Sequence, residues 1–106
     1  MKTLLLNLSR KFFPVPESDR IGMIRHCIES ELAPSELEII DESHMHAGHS
    51  GHGGAGHFRV RIVTDKFNGQ ALLARHRMVY AALDNLMQTE IHALSIEALS
   101  SEEVNK

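Results

Sequence analysis

The chain has 106 residues, 42% of them hydrophobic and 24% charged, which is enough for one small domain with a single core. Its net charge of −3 gives no general attraction to nucleic acid or anionic lipid, so such contacts would require a local basic patch. The single cysteine, Cys27, excludes an internal disulfide and any cysteine-rich metal site made by this chain alone. It also fits a reducing, cytoplasmic location.

Residues 1–22 are predicted to be an N-terminal extension, either poorly ordered or not native to the protein. The segment MKTLLLNLSRKFFPVPE is basic, with one short apolar run and two prolines near its end. The run is shorter than a secretory signal requires, although the lack of acid before Glu17 permits a transit-peptide or membrane-surface interpretation. Met23 is an alternative start. No apolar run approaches the roughly 18 residues of a spanning helix, so no membrane partner is expected.

The next segment has the pattern of a helix followed by a short strand. Ser18 or Asp19 can cap a helix that extends to Ala33 and ends before Pro34. The branched apolar run from Leu37 to Asp41 then predicts a strand. The apolar stripe of the helix contains Ile21, Ile24, Cys27, Ile28 and Leu32.

A histidine- and glycine-rich stretch follows this strand. Five of the eight histidines and five of the seven glycines lie between His44 and His57. Imidazole is a common metal ligand, and glycine lets the backbone bend around a ligand. The stretch is therefore either a metal-binding loop, a solvated loop, or both at different positions.

The second half contains a strand, a turn, a long helix and a final strand. Alternation predicts a strand over Phe58–Ile62, and Asn-Gly marks a turn over Asp65–Gly69. A wide apolar stripe predicts one helix over Gln70–Gln88, and Ile91–Glu97 is the last strand. Residues 100–106 are expected to be a flexible tail. The stripe of the helix comprises Leu72, Leu73, His76, Val79, Tyr80, Leu83, Leu86 and Met87.

The order of elements predicts that His57 and His92 lie close together. The first two strands can pair antiparallel, whereas the step through a helix to the third strand favours a parallel pair. Parallel strands begin at the same edge of a sheet, so the starts of the second and third strands should meet beside the histidine loop. Two imidazoles are too few for a closed structural zinc site. Further ligands would come from a partner, from solvent or from other loop histidines.

Several motifs in this order resemble the BolA family. They span about Met23 to Ala98, so residues 23–99 are predicted to form a BolA-like domain. The motifs are Asp41-Glu42-Ser43, His57-Phe58-Arg59-Val60, Phe67-Asn68-Gly69, Arg75-His76-Arg77-Met78-Val79-Tyr80 and Ile91-His92-Ala93-Leu94.

The resemblance implies an α+β fold of the class II KH type, with a three-stranded mixed sheet covered by helices in the order helix, strand, strand, helix, strand. It also implies an adaptor rather than an enzyme. Its expected partner is a monothiol glutaredoxin, and a 2Fe–2S cluster is shared with that protein and its glutathione. Alone, the protein is expected to be a monomer or weak homodimer, with or without a cofactor.

The resemblance further implies which residues hold the cluster. His92 corresponds to the family's histidine at the start of the last strand, and counting from Asp-Glu-Ser places the loop ligand at His46. The loop lacks the proline found in similar loops and is about two residues longer, and counting backward from His57 reaches Gly48. The alternates are therefore His44, His49 and His57. Contacts with the partner, glutathione or nucleic acid are assigned equally to Arg59, Arg61, Arg75 and Arg77.

Two other functions remain open at this point. Members of the family are also associated with DNA-binding transcriptional regulation of stress response and cell morphology, for which the cluster from Arg75 to Arg77 is a local basic patch. The loop contains Gly-x-x-Gly sequences, but between strands rather than between helices as in nucleic-acid-binding KH domains. Storage of nickel or zinc by the loop alone is the third interpretation, and it would not require His92.

Overall fold

A computed structural model of the protein describes residues 19–43 and 55–105. The elements in chain order are α1 (Arg20–Leu32), β1 (Glu36–Asp41), β2 (Gly56–Thr64), a 3₁₀ turn (Asp65–Phe67), α2 (Leu72–Ala82), α3 (Asp84–Met87), β3 (Ile91–Ser100) and α4 (Ser101–Val104). No helix in these two ranges is long and apolar enough to cross a membrane.

The three strands form one mixed sheet in the order β1-β2-β3. β1 pairs antiparallel with β2, with Asp41 opposite Phe58 at the loop end. β2 pairs parallel with β3 after the crossover through α2 and α3. The predicted α+β fold with a small mixed sheet is therefore confirmed, and β2 is the central strand.

The core lies between one face of the sheet and the helices. Phe58, Val60 and Ile62 alternate along β2 and are buried, as are Ile24 and Ile28 of α1. The intervening residues of β2, which include two arginines, lie on the other face of the sheet, as the period of two in a strand requires. This arrangement leaves that second face of the sheet polar.

The predicted helix over Gln70–Gln88 is wrong as a single element. The helix stops at Ala82, Leu83 has a non-helical backbone (φ −103°, ψ 11°), and a short second helix starts at Asp84. The break occurs where Leu83 is fully buried. It redirects the chain so that Leu86 also reaches the core, which an unbroken stripe in the sequence does not reveal.

The apolar stripe predicted for Gln70–Gln88 also includes residues that do not reach the core. Val79 is fully buried, whereas Leu72, Leu73 and Tyr80 remain 60%, 63% and 43% exposed. A helix buries only one side, and residues on the opposite side stay in solvent however apolar they are.

Both ends of the domain differ from the boundaries expected from sequence. α1 begins at Arg20, so the expected boundary between residues 22 and 23 falls inside its first turn. At the other end, Ser101–Val104 form a short helix where a flexible tail was expected. Ser100 and Glu103 cap it reciprocally, each side chain accepting a hydrogen bond from the other residue's backbone N–H.

Candidate functional site

The histidine loop leaves and re-enters the sheet through a set of hydrogen bonds. The backbone N–H of Glu42 donates to the carbonyl of His57 at 2.8 Å. The backbone N–H of His57 donates to Ser43 Oγ at 3.0 Å, and that of Ser43 donates to Asp41 Oδ1 at 2.8 Å. The two ends of the loop are therefore held together, and the backbone of His57 is fixed by bonds in both directions.

Gly56 permits the close packing at this point. A Cβ atom at this position would lie 2.6 Å from the ring of Phe58 and 2.8 Å from Ser43 Oγ, both shorter than real Cβ contacts. The Gly56 N–H also donates to the carbonyl of Glu90 at 3.0 Å, which joins the start of β2 to the residue before β3. Only a residue without a side chain fits here.

His92 lies in an irregularity of the sheet. Gly56 pairs with Ile91, but His57 pairs with Ala93, so His92 is the additional residue of a bulge. Bulges redirect side chains at sheet edges and next to functional sites. Here Ile91 is buried and His92 is exposed, so the bulge anchors the strand while presenting the imidazole to solvent.

The two imidazole rings are neighbours. The centroids of the His57 and His92 rings are 5.1 Å apart, and their planes are tilted by 53°. The prediction that His92 lies at the loop's edge of the sheet, close to His57, is confirmed. The parallel crossover produces this contact between residues that are far apart in sequence.

A partly buried ion pair between α1 and Glu90 supports the start of β3. Arg20 Nε donates to Glu90 Oε1 at 3.0 Å, and the two side chains are only 11% and 18% exposed. The first turn of α1 is thereby tied to the residue two positions before His92. Sequence analysis missed this pair, because nothing in the local pattern relates an arginine at a helix start to a distant glutamate.

The other predicted ligands, His44, His46 and His49, lie outside the described residues. In ranges 19–43 and 55–105 no group of three or more histidine, cysteine, aspartate or glutamate side chains is placed to hold a metal ion. The described part of the site thus supplies two imidazoles. Two imidazoles are fewer than the four ligands of a closed structural zinc site, so the described residues do not form such a site by themselves.

The four candidate arginines fall into two groups. Arg75 is held by intramolecular hydrogen bonds, and its assignment as a contact residue stays a prediction. Its Nε donates to the carbonyl of Gln70, and one guanidinium nitrogen donates to the Ala98 carbonyl and to Glu103. Its side chain is only 11% exposed, so little of it is accessible from solvent.

The remaining three arginines reach the surface. Arg59 pairs with Glu42 beside the loop and is 55% exposed. Arg61 bridges strands through Glu36 and Glu97. Arg77 is exposed on α2, and no ion pair involves it within the described residues. Arg59 lies two residues from His57 on the same face of β2, which makes it the arginine nearest to the imidazole pair along that strand.

Cys27 takes no part in this site. It packs against the core from α1, and burial, assisted by the nearby Glu31, raises the pKa of its thiol. A raised pKa keeps the sulfur protonated and unreactive at neutral pH. This agrees with the position of Cys27 on the apolar stripe of that helix.

Comparison with known proteins gives consistent matches. A family model described as BolA-like protein matches residues 28–103. The chain is 45% identical over 87 residues to SufE-like protein 1, chloroplastic/mitochondrial, of Arabidopsis thaliana, covering 76% of this chain and 24% of that protein. It is 39% identical over 85 residues to the DNA-binding transcriptional regulator BolA of Escherichia coli (strain K12), covering 76% and 79%.

Solved structures agree with these matches. BolA1 from Arabidopsis thaliana superposes with a TM-score of 0.69 at 42% identity, covering 79% of this chain and 94% of that chain. The BolA domain of SufE1 from the same plant gives 0.69 at 45% identity, with 77% and 92% covered. The chain spans about a quarter of the full SufE-like protein and about half of Protein BOLA1, chloroplastic.

Proposed function

The chain belongs to the BolA-like protein family, and from this premise we propose that it is an iron–sulfur trafficking adaptor. It binds a monothiol glutaredoxin and shares a 2Fe–2S cluster with it as cargo. The single observation that carries the proposal is the pair of imidazoles, His57 and His92, with centroids 5.1 Å apart at the mouth of the histidine loop. A half-site of this kind needs ligands from a second protein.

The proposal assigns the cluster ligands to histidines of this chain and to thiolates of the partner. His92 is the principal ligand, because the bulge exposes its ring while Ile91 anchors the strand. The second ligand is a loop histidine, His46 by its position after Asp-Glu-Ser, with His57 as the structurally placed alternative. Glutaredoxin and glutathione supply the remaining thiolates. Imidazole ligands raise the reduction potential of such a cluster relative to thiolates and make it sensitive to protonation.

The polar face of the sheet is the proposed docking surface. Arg59, exposed on this face and beside the loop, is the first candidate to receive the partner or the carboxylates of glutathione. Arg77 is a separate candidate, because it lies on α2, on the side of the sheet that the helices cover. The role is that of an adaptor in cluster delivery or iron homeostasis, not of an enzyme. We place it in the cytoplasm, where Cys27 would remain reduced; two of the plant relatives have chloroplast or mitochondrial names.

The test is reconstitution of the heterocomplex with a monothiol glutaredoxin, glutathione and cluster, followed by visible absorption spectroscopy. We expect His92→Ala to abolish the spectrum of the mixed complex. Either His46→Ala or His57→Ala should shift it, and whichever does so identifies the second ligand. His26→Ala, which removes an exposed histidine on α1, is the matched control and should leave the spectrum unchanged. An unaltered spectrum for His92→Ala contradicts the proposal.

DNA-binding regulation is the second candidate, favoured by the name of the Escherichia coli relative. The structure weakens its basic patch, since Arg75 is committed to intramolecular bonds and leaves Arg77 as the exposed arginine of the pair. Phosphate contacts lose affinity steeply with salt. Gel-shift measurements across a salt series, with Arg77→Ala as the variant, would support this function only if binding is steeply salt-dependent and weakened by the substitution.

A further inference from the structure

We propose that residues 1–18 bind back onto the exposed side of α2, a surface formed by Leu72, Leu73, Arg77 and Tyr80 and called the α2 face here. Residues 1–18 lie outside the described residues, and the chain that the structure describes starts directly after them. The inference depends neither on glutaredoxin nor on a cluster. It places the segment in competition with any partner that contacts Arg77.

The α2 face is unusually apolar for an exposed surface of this domain. Four large hydrophobic side chains are exposed in the described ranges, and three of them, Leu72, Leu73 and Tyr80, lie on α2. Leu73, Arg77 and Tyr80 are at positions i, i+4 and i+7, so they share one side of the helix. Grouped apolar side chains on a surface mark interaction sites, whereas single ones do not.

The start of α1 lies beside the end of α2. The two helices pack against each other. Arg20 bonds to Glu90, just before β3, whereas the Leu32 carbonyl accepts from Thr64 at the end of β2. Since α2 leads from the end of β2 back toward the start of β3, the two helices run in opposite directions. The segment before α1 therefore approaches α2 at the end that carries Tyr80.

The segment has the length and the side chains to cover this face. A chain of residues 1–18 spans up to about 60 Å when extended, whereas α2 from Leu72 to Ala82 is about 15 Å long. Much of the segment is apolar, and a short stretch of it matches the length of the helix. Its large apolar residues are Leu4, Leu5, Leu6, Leu8, Phe12 and Phe13.

The size of the face favours a tethered segment over a second copy of the chain. Three side chains of at most about 250 Å² each supply less than the roughly 800 Å² that each partner of a stable dimer buries. A segment joined to the domain has an effective concentration on the order of millimolar. It can therefore occupy a face that is too small to hold a separate molecule.

Tyr80 reports directly on the proposed contact, because it is the only tyrosine and the chain has no tryptophan. The experiment is acrylamide quenching of tyrosine fluorescence in the full chain. The test variant replaces the apolar run of the segment (Leu4→Ser, Leu5→Ser and Leu6→Ser together). We expect its quenching constant to rise at least about twofold, because loss of the bound population exposes the ring.

The matched control replaces three polar residues of the same segment (Lys2→Ser, Thr3→Ser and Asn7→Ser together) and should leave quenching unchanged. On the α2 face, Leu73→Ser, at a position 63% exposed, should raise quenching as the leucine variant does. Ile40→Ser, at the exposed apolar residue of β1, should not. Circular dichroism of every variant checks that the fold is retained.

Two outcomes overturn the proposal. One is equal quenching of Tyr80 in the parent chain and in the leucine variant. The other is protection of Tyr80 that increases with protein concentration, since this identifies a second copy as the occupant. Neither outcome affects the heterocomplex experiment, which measures cluster absorption with the partner present.

Discussion

The two ends of the β2–β3 pair are built differently. At the end where Thr64 pairs with Ser100, both side chains are buried and both are bonded. The Thr64 hydroxyl donates to the Leu32 carbonyl at 2.6 Å, and Ser100 caps α4. At the other end, the structural hydrogen bonds around His57 are made by its backbone, while the imidazoles of His57 and His92 approach each other near the surface.

The contrast shows how one sheet combines a purely structural end with an end that carries the candidate site. At the end where Thr64 pairs with Ser100, called the closed end here, polar side chains form hydrogen bonds with buried backbone groups. These side chains cannot change partners without leaving a polar group unbonded. At the other end, called the open end here, Ser43, Gly56 and Glu90 hold the backbone, and the two histidine rings lie side by side. The same contrast distinguishes Arg75 from Arg77, which are two positions apart but differ in role.

The largest effect is expected from adding one methyl group at the open end. Gly56→Ala places a Cβ within 2.6–2.8 Å of Phe58 and Ser43, so the strand start must shift. We expect a loss of about 2–3 kcal/mol in the free energy of unfolding, measured by urea denaturation, and an altered His57–His92 contact in NMR spectra.

The matched control is the same chemical change in α1. Gly22→Ala meets only a carboxylate oxygen of Asp19, at 3.2 Å, and gains helix propensity. It should be neutral or stabilising by up to about 1 kcal/mol. Equal effects of the two substitutions would mean that Gly56 has no special steric role.

The next effect concerns the two arginines of α2. Arg75→Ala removes donors to the Ala98 carbonyl and to Glu103 and should cost about 2 kcal/mol in unfolding free energy. Arg77→Ala, at an exposed position, should change stability by no more than about 0.5 kcal/mol. Thermal and urea denaturation of both variants would measure the difference, and similar costs would contradict the structural assignment of Arg75.

The smallest effect is a pH dependence at the closed end. The Ser100 N–H and the Arg75 guanidinium lower the pKa of Glu103 from the usual 4.5 to about 2. A depressed carboxyl pKa gives stabilisation that is complete above about pH 4.5 and is lost as pH falls toward 2. An NMR titration of the Glu103 carboxyl should show this midpoint, and in Arg75→Ala the midpoint should rise.

Much of the fold could be predicted because it depends on periodicity. The alternation around Phe58 and Val60 predicts the second strand, and the crossover rule places His92 beside His57 from the sequence alone. Those inferences need only strand direction and the order of elements. The resemblance to the BolA family depends on short motifs that lie in and beside these elements. The family match covers residues 28–103.

What the sequence could not provide depends on three-dimensional packing. Leu83 continues the helical pattern, yet the chain breaks there to bury Leu86. Arg75 and Arg77 are identical in type, and only the position of β3 decides which one is enclosed. The bulge that exposes His92 is a change of register, which leaves no signature in residue type. The choice between His46 and His57 as second ligand remains a prediction.

The parallel crossover also determines when the candidate site can exist. His57 lies at the start of β2 and His92 at the start of β3, with α2 and α3 between them, so the two rings meet only after this long-range strand pair has formed. A partly folded or incomplete chain therefore lacks the imidazole pair. Binding at this site would favour the native state over the unfolded state, so the unfolding temperature should rise with the logarithm of ligand concentration once that concentration exceeds the Kd.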